Sequence, residues 1–362
     1  MNKEVIMHIN NLLAMAVAKG ASDLHIKVGG LPVLRIDGEL VPQEELASVT
    51  KEIMEGLFQE ITTEKLREAF AAEMEADFAY QGESSCRFRI NISRQAGSKS
   101  IICRPVKTEI PTFEALGLPP VCADLAMLTN GLVIVTGPTG CGKSTTLAAM
   151  MNYLNHNVKR KIITIEDPVE YVHRDIKSVF YQREIGRDTR SFANALKYAL
   201  RQDPDVILVG EMRDLDTMSA VLTAAETGHL VLTTLHTPGA VESINRFIDV
   251  FPPYQQQQAR IQLAAVLQGV IYQVLVPRAG GSGRVAAIEV LLASAAVRNL
   301  IREGKNFQIM NTIQTSSKQG MQSLNKALAA LSNSGSIERK EALSASTDED
   351  ELKELLAGPH SN

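Results

Sequence analysis

The residues from Gly137 to Ser144, near the middle of the chain, have the glycine, lysine and serine spacing that is typical of a phosphate-binding loop of the Walker A type. The apolar residues 132–135 predict a buried strand, the pattern G-x-x-x-x-G-K-S follows at once, and an alanine- and methionine-rich helical pattern comes next. The glycines of such a loop let successive backbone N–H groups point at a phosphate, and the helix start adds its positive dipole end. The predicted nucleotide-binding residues are Gly137, Pro138, Thr139, Gly140, Cys141, Gly142, Lys143, Ser144 and Thr145.

Three side chains of this loop carry different chemistry. Lys143 is expected to bridge the terminal phosphates of ATP, and the hydroxyl of Ser144 is expected to bind Mg²⁺. The thiol of Cys141 lies near that lysine and near a helix start, which both favour the thiolate, so a reactive cysteine is one of two open alternatives. The alternative is a Cys141 side chain that points away from the phosphates into the fold, where it would be inert.

Acidic residues end two later strand patterns. Glu166 and Asp167 follow one apolar run, and Gly210 and Glu211 follow another that resembles a Walker B motif. Because ligands bind at the carboxyl ends of parallel strands, Glu211 is predicted to be the general base that polarises the attacking water. Glu166 is a second catalytic candidate, and Glu166 or Asp167 is expected to hold Mg²⁺ through water. The alternative for these two acids is a solvated strand end.

Two histidines bracket a third strand pattern. His236 is predicted at its carboxyl edge, near the γ-phosphate, and His229 at the opposite edge. An imidazole beside a phosphate can donate a hydrogen bond to it, which makes both histidines catalytic candidates. A structural role at the strand ends is the alternative.

Composition narrows the class of protein. Hydrophobic residues make up 45% of the 362 residues and charged residues 22%, which are ordinary values for a globular chain. The net charge of −4 argues against binding nucleic acid through overall basicity. The four cysteines form no C-x-x-C pair, so neither zinc nor a disulfide framework is expected. The chain shows no signal-peptide pattern and no apolar run of membrane-spanning length, so a cytoplasmic location is expected.

The order of patterns predicts an α/β protein with two domains. Helical and strand patterns alternate in the first part, which includes a hairpin turn beginning at Asp37, and later strands alternate with helices as in a parallel sheet. The predicted divisions are a first domain at 1–102, a proline-punctuated linker at 103–120, a second domain at 121–342 and an acidic, mobile end at 343–362.

Together these segments resemble the secretion-type hexameric ATPases, and two of them resemble the type IV pilus retraction ATPases, the PilT-type motors. The similarity runs from about Asn10 to Ile337. The segments similar to the secretion ATPases are 165–173, 182–192, 201–214 and 224–237, and those similar to the retraction motors are 20–26 and 296–305.

The resemblance implies a PAS-like first domain, a RecA-like ATPase domain and a homohexameric ring with ATP and Mg²⁺ as cofactors. It implies a cytoplasmic motor, peripherally associated with the inner membrane, that uses ATP hydrolysis to retract type IV pili and drive twitching motility. The implied partners are the platform protein of the pilus machine and, as a further candidate, a paralogous motor.

The resemblance also implies roles for residues outside the loop. First-domain arginines of such motors reach nucleotide, and the matching residues here are Arg87, Arg89 and Arg104; the alternative is that they face solvent. Segment 296–305 is implied to serve retraction rather than nucleotide binding, and a helical arrangement predicts Arg298 and Arg302 away from its apolar stripe.

Other functions remain open at this point. A pilus-assembly or type II secretion ATPase would share the short motifs, but those relatives usually carry a further N-terminal region and a zinc-binding cysteine tetrad, which this sequence lacks. A low-turnover, nucleotide-dependent partner of another motor is a different alternative. DNA translocation is disfavoured by the acidic balance, and no nucleic acid partner is expected.

Overall fold

The computed structural model describes residues 7–357 except 37, 83–85, 107–108 and 282. The hairpin turn predicted at Asp37 begins outside the described residues. The chain divides into two compact units, which are Met1–Glu109 with Pro168–Val172, and Ile110–Asp167 with His173–Asn362.

An antiparallel sheet with helices packed on it forms the first unit. Its strand order is β3-β2-β1-β6-β5-β4. Along β5 the side chains of Phe88, Ile90 and Ile92 are fully buried while those between them are not, which is the predicted alternation. The elements are α1 (Ile9–Ala18), β1 (Asp23–Lys27), β2 (Val33–Ile36), β3 (Glu39–Pro42), α2 (Lys51–Ile61), α3 (Glu64–Glu73), β4 (Glu75–Gln81), β5 (Arg87–Gln95) and β6 (Ser98–Pro105).

The second unit is built on a mostly parallel sheet of order β13-β12-β7-β11-β10-β8-β9, in which β13 runs antiparallel to β12. Its first elements are α4 (Phe113–Leu116), α5 (Val121–Met127), β7 (Gly131–Thr136), α6 (Lys143–Asn157), β8 (Lys161–Glu166), β9 (Val179–Glu184), α7 (Phe192–Ala199), β10 (Val206–Val209), α8 (Leu215–Glu226) and β11 (Leu230–Thr234). The remaining elements are α9 (Ala240–Asp249), α10 (Pro253–Val266), β12 (Leu267–Pro277), β13 (Arg284–Leu292), α11 (Ala295–Glu303), α12 (Ile309–Thr315), α13 (Leu324–Asn333), α14 (Arg339–Ala345) and α15 (Glu349–Ala357).

Helices cover both faces of this second sheet. Leu132 and Ile134 of β7 belong to one buried cluster, and Val133 and Val135 belong to the cluster on the opposite face. A parallel strand that is buried on both faces reads as a continuous apolar run, which explains the sequence pattern before the phosphate loop. The predicted α/β class is confirmed. Among the described residues, no helix has both the length and the apolar character needed to cross a bilayer.

Two predicted segments differ from the structure. Segment 103–120 is not an extended linker throughout, because β6 continues to Pro105 and α4 occupies Phe113–Leu116. The end predicted as mobile forms α14 and α15 as far as Ala357, with Leu352 fully buried in a cluster with helix α13. The acidic residues stabilise α15, since Asp348 accepts hydrogen bonds from two backbone N–H groups at its start and the helix dipole favours carboxylates there.

Candidate nucleotide site

The phosphate loop follows the fully buried strand β7 and leads into α6, the predicted strand, turn and helix. Gly137 and Gly142 have φ of 142° and 91°, a region that favours glycine. A Cβ at Gly137 would also lie 2.3 Å from the carbonyl oxygen of Gln273. The first glycine of the loop is therefore required for close approach of two strands as well as for backbone conformation.

Lys143 is held inside the loop. Its Nζ donates to the carbonyl oxygens of Gly137 at 2.9 Å and Pro138 at 3.0 Å, and it lies 3.3 Å from Nδ1 of His236. The residue is 8% exposed. These contacts place the ammonium where the loop would receive phosphate oxygens. Ser144 follows it in the first turn of α6, half-buried, where its hydroxyl is a suitable ligand for a hard cation.

The strand order decides how far each candidate side chain is from the loop. β11 lies next to β7, β10 lies beyond it, and β8 comes third. At about 4.8 Å between strands, β10 is about 10 Å and β8 about 14 Å from β7. His236 is thus nearest to the loop, Glu211 is next, and Glu166 is farthest.

Glu211, His236 and Lys143 form a continuous polar group. Oε2 of Glu211 forms an ion pair with Arg213, 2.8 Å from its Nε, and lies 3.7 Å from Nε2 of His236. Because a lysine ammonium only donates, Nδ1 of His236 is an acceptor and the neutral ring carries its proton on Nε2, towards Glu211. Burial lowers the pKa of His236, and the cations Lys143 and Arg213 lower it further although Glu211 opposes them. The structure therefore holds a neutral imidazole between an ammonium and a carboxylate.

Glu166 and Asp167 lie at the carboxyl end of β8. Oε1 of Glu166 accepts from Oγ1 of Thr164 at 2.6 Å and from Nε2 of Gln182 at 3.3 Å. Asp167 is exposed. Both acids are on the same sheet edge as the loop, as predicted, but the three-strand separation means that a contact with Mg²⁺ at Ser144 would have to run through water.

His229 is at the other end of β11 from His236. The five-residue strand between the two histidines is itself about 16 Å long, so they lie at opposite edges of the sheet. Nδ1 of His229 lies 3.0 Å from the carbonyl oxygen of Ala224 and 3.1 Å from Oγ1 of Thr227, which are contacts that close the end of α8. Within one chain the structure does not bring His229 to the phosphate loop.

Two of the three candidate arginines in the first unit, Arg89 and Arg104, form ion pairs with carboxylates of the same sheet. Arg89 donates from Nε and a terminal nitrogen to Asp77, with a shortest distance of 2.5 Å, and Arg104 contacts Asp23 at 2.8 Å. Burial by itself raises the pKa of Asp23, but hydrogen bonds from Arg104 and a neighbouring serine bring that pKa below its ordinary value. Arg87 lies on the same face of β5 as Arg89.

Cys141 is buried in the structure. The residue is 3% exposed, and its Sγ would be 2.7 Å from a Cβ placed on Gly137, so the thiol packs against the first glycine of the loop. Burial raises the pKa of Cys141, and this outweighs the opposing effect of Lys143 and backbone hydrogen bonds. The inert alternative is the one that the structure supports.

A glutamine that the motif analysis missed touches the loop from the neighbouring strand. Gln273 of β12 is 1% exposed, and its side chain bonds both the Cys141 carbonyl and the Thr146 hydroxyl. The sequence did contain a sign of this role, because Gln273 is a polar residue inside an otherwise apolar run. Such a residue is usually buried, with hydrogen bonds that the rest of the fold satisfies.

Comparison with known proteins agrees with this geometry. Residues 2–344 match the family model described as Type II/IV secretion system protein. The chain belongs to this family. The type IV pilus retractation ATPase PilT of Pseudomonas aeruginosa is 45% identical over 336 residues, which are 93% of this chain and 97% of that protein. A twitching motility protein of Neisseria gonorrhoeae is 43% identical over 306 residues, 84% of this chain and 82% of that protein.

A solved structure of the same family extends the comparison to three dimensions. The crystal structure of the pilus retraction motor PilT with bound ADP superposes with a TM-score of 0.90 at 44% identity. The match covers 96% of this chain and 99% of that chain. The two-domain fold of this secretion ATPase family member is therefore the same as that of the retraction motor.

The helix that carries the retraction-type segment is α11. Val297 and Ile301 are fully buried and form the predicted apolar stripe. Arg298, expected to be exposed, is half-buried: it donates to the carbonyl oxygens of Ala264 at 2.6 Å and Ala265 at 2.8 Å, which end α10. Arg302 is exposed, as expected. Arg298 therefore caps α10, because the last carbonyl groups of a helix have no hydrogen-bond partner within the helix.

Proposed function

We propose that this protein is an ATP-hydrolysing motor that drives the retraction of type IV pili. The observation that carries the proposal is the contiguous group of Lys143, His236 and Glu211 at the carboxyl edge of three adjacent strands, directly beside a phosphate loop. A cation, a neutral imidazole and a carboxylate in that order can bind a terminal phosphate, sense it and activate water. The retraction role follows from the similarity to PilT over nearly the whole of both chains.

ATP binding would replace the internal contacts of Lys143. The ammonium now donates to two loop carbonyls, and it would exchange them for the β- and γ-phosphate oxygens. The hydroxyl of Ser144 would hold Mg²⁺, with Glu166 or Asp167 contributing through water. When bound, Mg²⁺ neutralises phosphate charge.

Hydrolysis requires a base for the attacking water, and we assign that role to Glu211. Its side chain is 15% exposed, and an ion pair with Arg213 occupies Oε2. Because the ion pair occupies Oε2, it has to open before that oxygen can accept a proton from the attacking water in this scheme. Neutral His236, between Glu211 and Lys143, is placed to transmit the presence of the γ-phosphate to the carboxylate.

The arginines of the first unit belong to the proposal as sources of additional positive charge. In a homohexamer, Arg87, Arg89 and Arg104 would act on nucleotide and stabilise charge that develops during phosphoryl transfer. Arg89 and Arg104 are already paired with Asp77 and Asp23, so each would exchange a carboxylate for a phosphate. The hexamer would work in the cytoplasm on the platform protein of the inner-membrane pilus machine, with a paralogous motor as a further candidate partner.

A complementation experiment tests the function directly. A strain that lacks the gene is complemented with the wild type, Lys143→Ala or Lys159→Ala, since Lys159 is an exposed lysine that precedes β8 at the other sheet edge. If the protein is a retraction motor, the deletion strain and the strain with Lys143→Ala should be hyperpiliated and unable to twitch. The strains with the wild type or Lys159→Ala should be normal. Cells without pili would identify an assembly motor instead.

Steady-state ATPase activity of the purified proteins completes the test. The wild type and Lys159→Ala are expected to hydrolyse ATP equally, while Lys143→Ala is expected to lose phosphate binding and turnover. A wild-type protein that binds ATP without turnover would contradict the motor and favour a nucleotide-dependent partner of another ATPase.

A further inference from the structure

Gln273 lies beside the first residue of the phosphate loop. Strand β12 runs parallel to β7 with Tyr272 opposite Thr136, so the next residue of each strand brings Gln273 alongside Gly137. The backbones of these two residues are in contact, since the Gln273 carbonyl oxygen would be 2.3 Å from a Cβ at Gly137. A buried polar side chain at this position reaches the loop itself.

The side-chain amide of Gln273 uses both of its ends. Nε2 donates to the carbonyl oxygen of Cys141 at 2.6 Å, and Oε1 accepts from Oγ1 of Thr146 at 2.8 Å. One contact is on the loop and the other is one turn into α6, with Gly142 between them. Gln273 therefore ties the loop and the start of its helix to β12.

The contact with Cys141 fixes a peptide orientation. In a trans peptide the C=O of one residue and the N–H of the next point in opposite directions. Because Gln273 holds the Cys141 carbonyl on the β12 side, the N–H of Gly142 must point away from β12. Phosphate loops bind their ligand with such inward N–H groups, so the orientation of this single peptide affects phosphate affinity.

We propose that Gln273 is a positioning residue, which fixes the Cys141–Gly142 peptide so that its N–H is presented to the nucleotide phosphates. The inference rests on the proposed nucleotide binding of the loop. Space around the peptide supports it: a Cβ at Gly142 would be 3.2 Å from Nε2 of Gln273, so the amide lies directly against the loop backbone. Thr146 orients the amide, since its hydroxyl donates to Oε1 and leaves the Nε2 end for Cys141.

Three substitutions separate the two hydrogen bonds. Gln273→Met removes both at similar volume. Gln273→Glu keeps an acceptor for Thr146 but places a carboxylate oxygen against the Cys141 carbonyl. Thr146→Val removes only the donor to Oε1. The matched control is Ile271→Val, a fully buried position of β12 whose shortening affects packing without touching these hydrogen bonds.

The measurement is the ADP dissociation constant by calorimetry, at a temperature where circular dichroism shows each variant folded. We expect about a tenfold weaker ADP affinity for Gln273→Met, a larger loss for Gln273→Glu, an intermediate loss for Thr146→Val because the amide loses its orienting donor, and less than about a threefold change for Ile271→Val. Relative to the wild type at the same pH, Gln273→Glu should regain affinity as the pH falls, because a protonated carboxyl can donate to the Cys141 carbonyl and burial favours that form.

The outcomes are distinguishable. Wild-type affinity in Gln273→Met, an equal loss in Ile271→Val, or no recovery of Gln273→Glu at low pH would overturn the positioning role. Should Gln273→Met fail to fold, Gln273→Glu and its pH dependence decide the question. A wild-type protein that binds no ADP would contradict the proposed function rather than this inference.

Discussion

Arg298 should stabilise the protein, whereas Arg302 of the same helix should not. Arg298 caps α10 through the carbonyls of Ala264 and Ala265, and it also donates to the Ala293 carbonyl at 2.9 Å and to Oε1 of Gln268 at 3.1 Å. The perturbation is Arg298→Ala, and the matched control is Arg302→Ala.

The expected change in the free energy of unfolding is estimated from those hydrogen bonds of Arg298 that water cannot replace after the substitution. Three of the four hydrogen bonds, those to Ala264, Ala293 and Gln268, are partly buried. At roughly 1 kcal/mol each they contribute about 3 kcal/mol to the free energy of unfolding. A positive charge at a helix C-terminus adds roughly 0.3–1 kcal/mol. The exposed side chain of Arg302 donates a 3.3 Å hydrogen bond to Asn299 and should contribute less than about 0.5 kcal/mol.

Thermal and urea unfolding of the two variants provide the assay. With roughly 2–4 °C per kcal/mol for a unit of this size, the total of about 3.3–4 kcal/mol means that Arg298→Ala should lower the Tm by about 7–16 °C, and Arg302→Ala by no more than about 2 °C. Equal Tm values for the two variants would refute the capping argument. A loss of retraction in Arg302→Ala at normal stability and normal ATPase activity would assign the motor role of this helix to its exposed face.

Three further predictions concern the site and its surroundings. Glu211→Gln should bind ATP but hydrolyse it about a hundredfold more slowly, as expected for loss of a general base, and near wild-type turnover would move that role to Glu166. Maleimide should modify half-buried Cys86 first, with Cys141 modified only after unfolding; mass spectrometry of labelled peptides checks this, and early labelling of Cys141 would contradict its burial. Burial lowers the pKa of His173 to about 4 from an ordinary 6.5. Between pH 6.5 and pH 4 this histidine is therefore protonated in the unfolded chain and neutral in the folded protein. Stability should therefore fall by up to about 3 kcal/mol as the pH drops from 6.5 to 4, a dependence measurable by urea unfolding that His173→Phe should remove.

The sequence alone was sufficient for features that depend on a contiguous segment. A loop such as 137–144 is defined by local backbone conformation, and its flanking strand and helix are read from apolar periodicity. The strand ends at Glu166, Glu211 and His236 were predictable for the same reason, because all parallel strands place their carboxyl ends at one edge.

Predictions from composition and charge failed where tertiary packing outweighed the local preferences of the sequence. The acid-rich end has few apolar residues, yet Leu352 is fully buried in the cluster with α13, and Leu355 and Leu356 pack against that cluster. Cys141 has neighbours that favour a thiolate, but its side chain is buried against Gly137, where desolvation dominates. Charge and hydropathy of a segment do not reveal which neighbour it will meet.

Only the tertiary structure decided the lateral order of the strands and the contacts between distant segments. The order β7-β11-β10-β8 places Glu211 nearer to the loop than Glu166, although Glu166 comes first in the sequence. Gln273 reaches Cys141 across 132 positions, and Arg298 reaches the end of α10 across 34. Such contacts form because neighbouring strands and helices must satisfy each other's buried polar groups once the sheet has assembled, a requirement that no local pattern in the chain encodes.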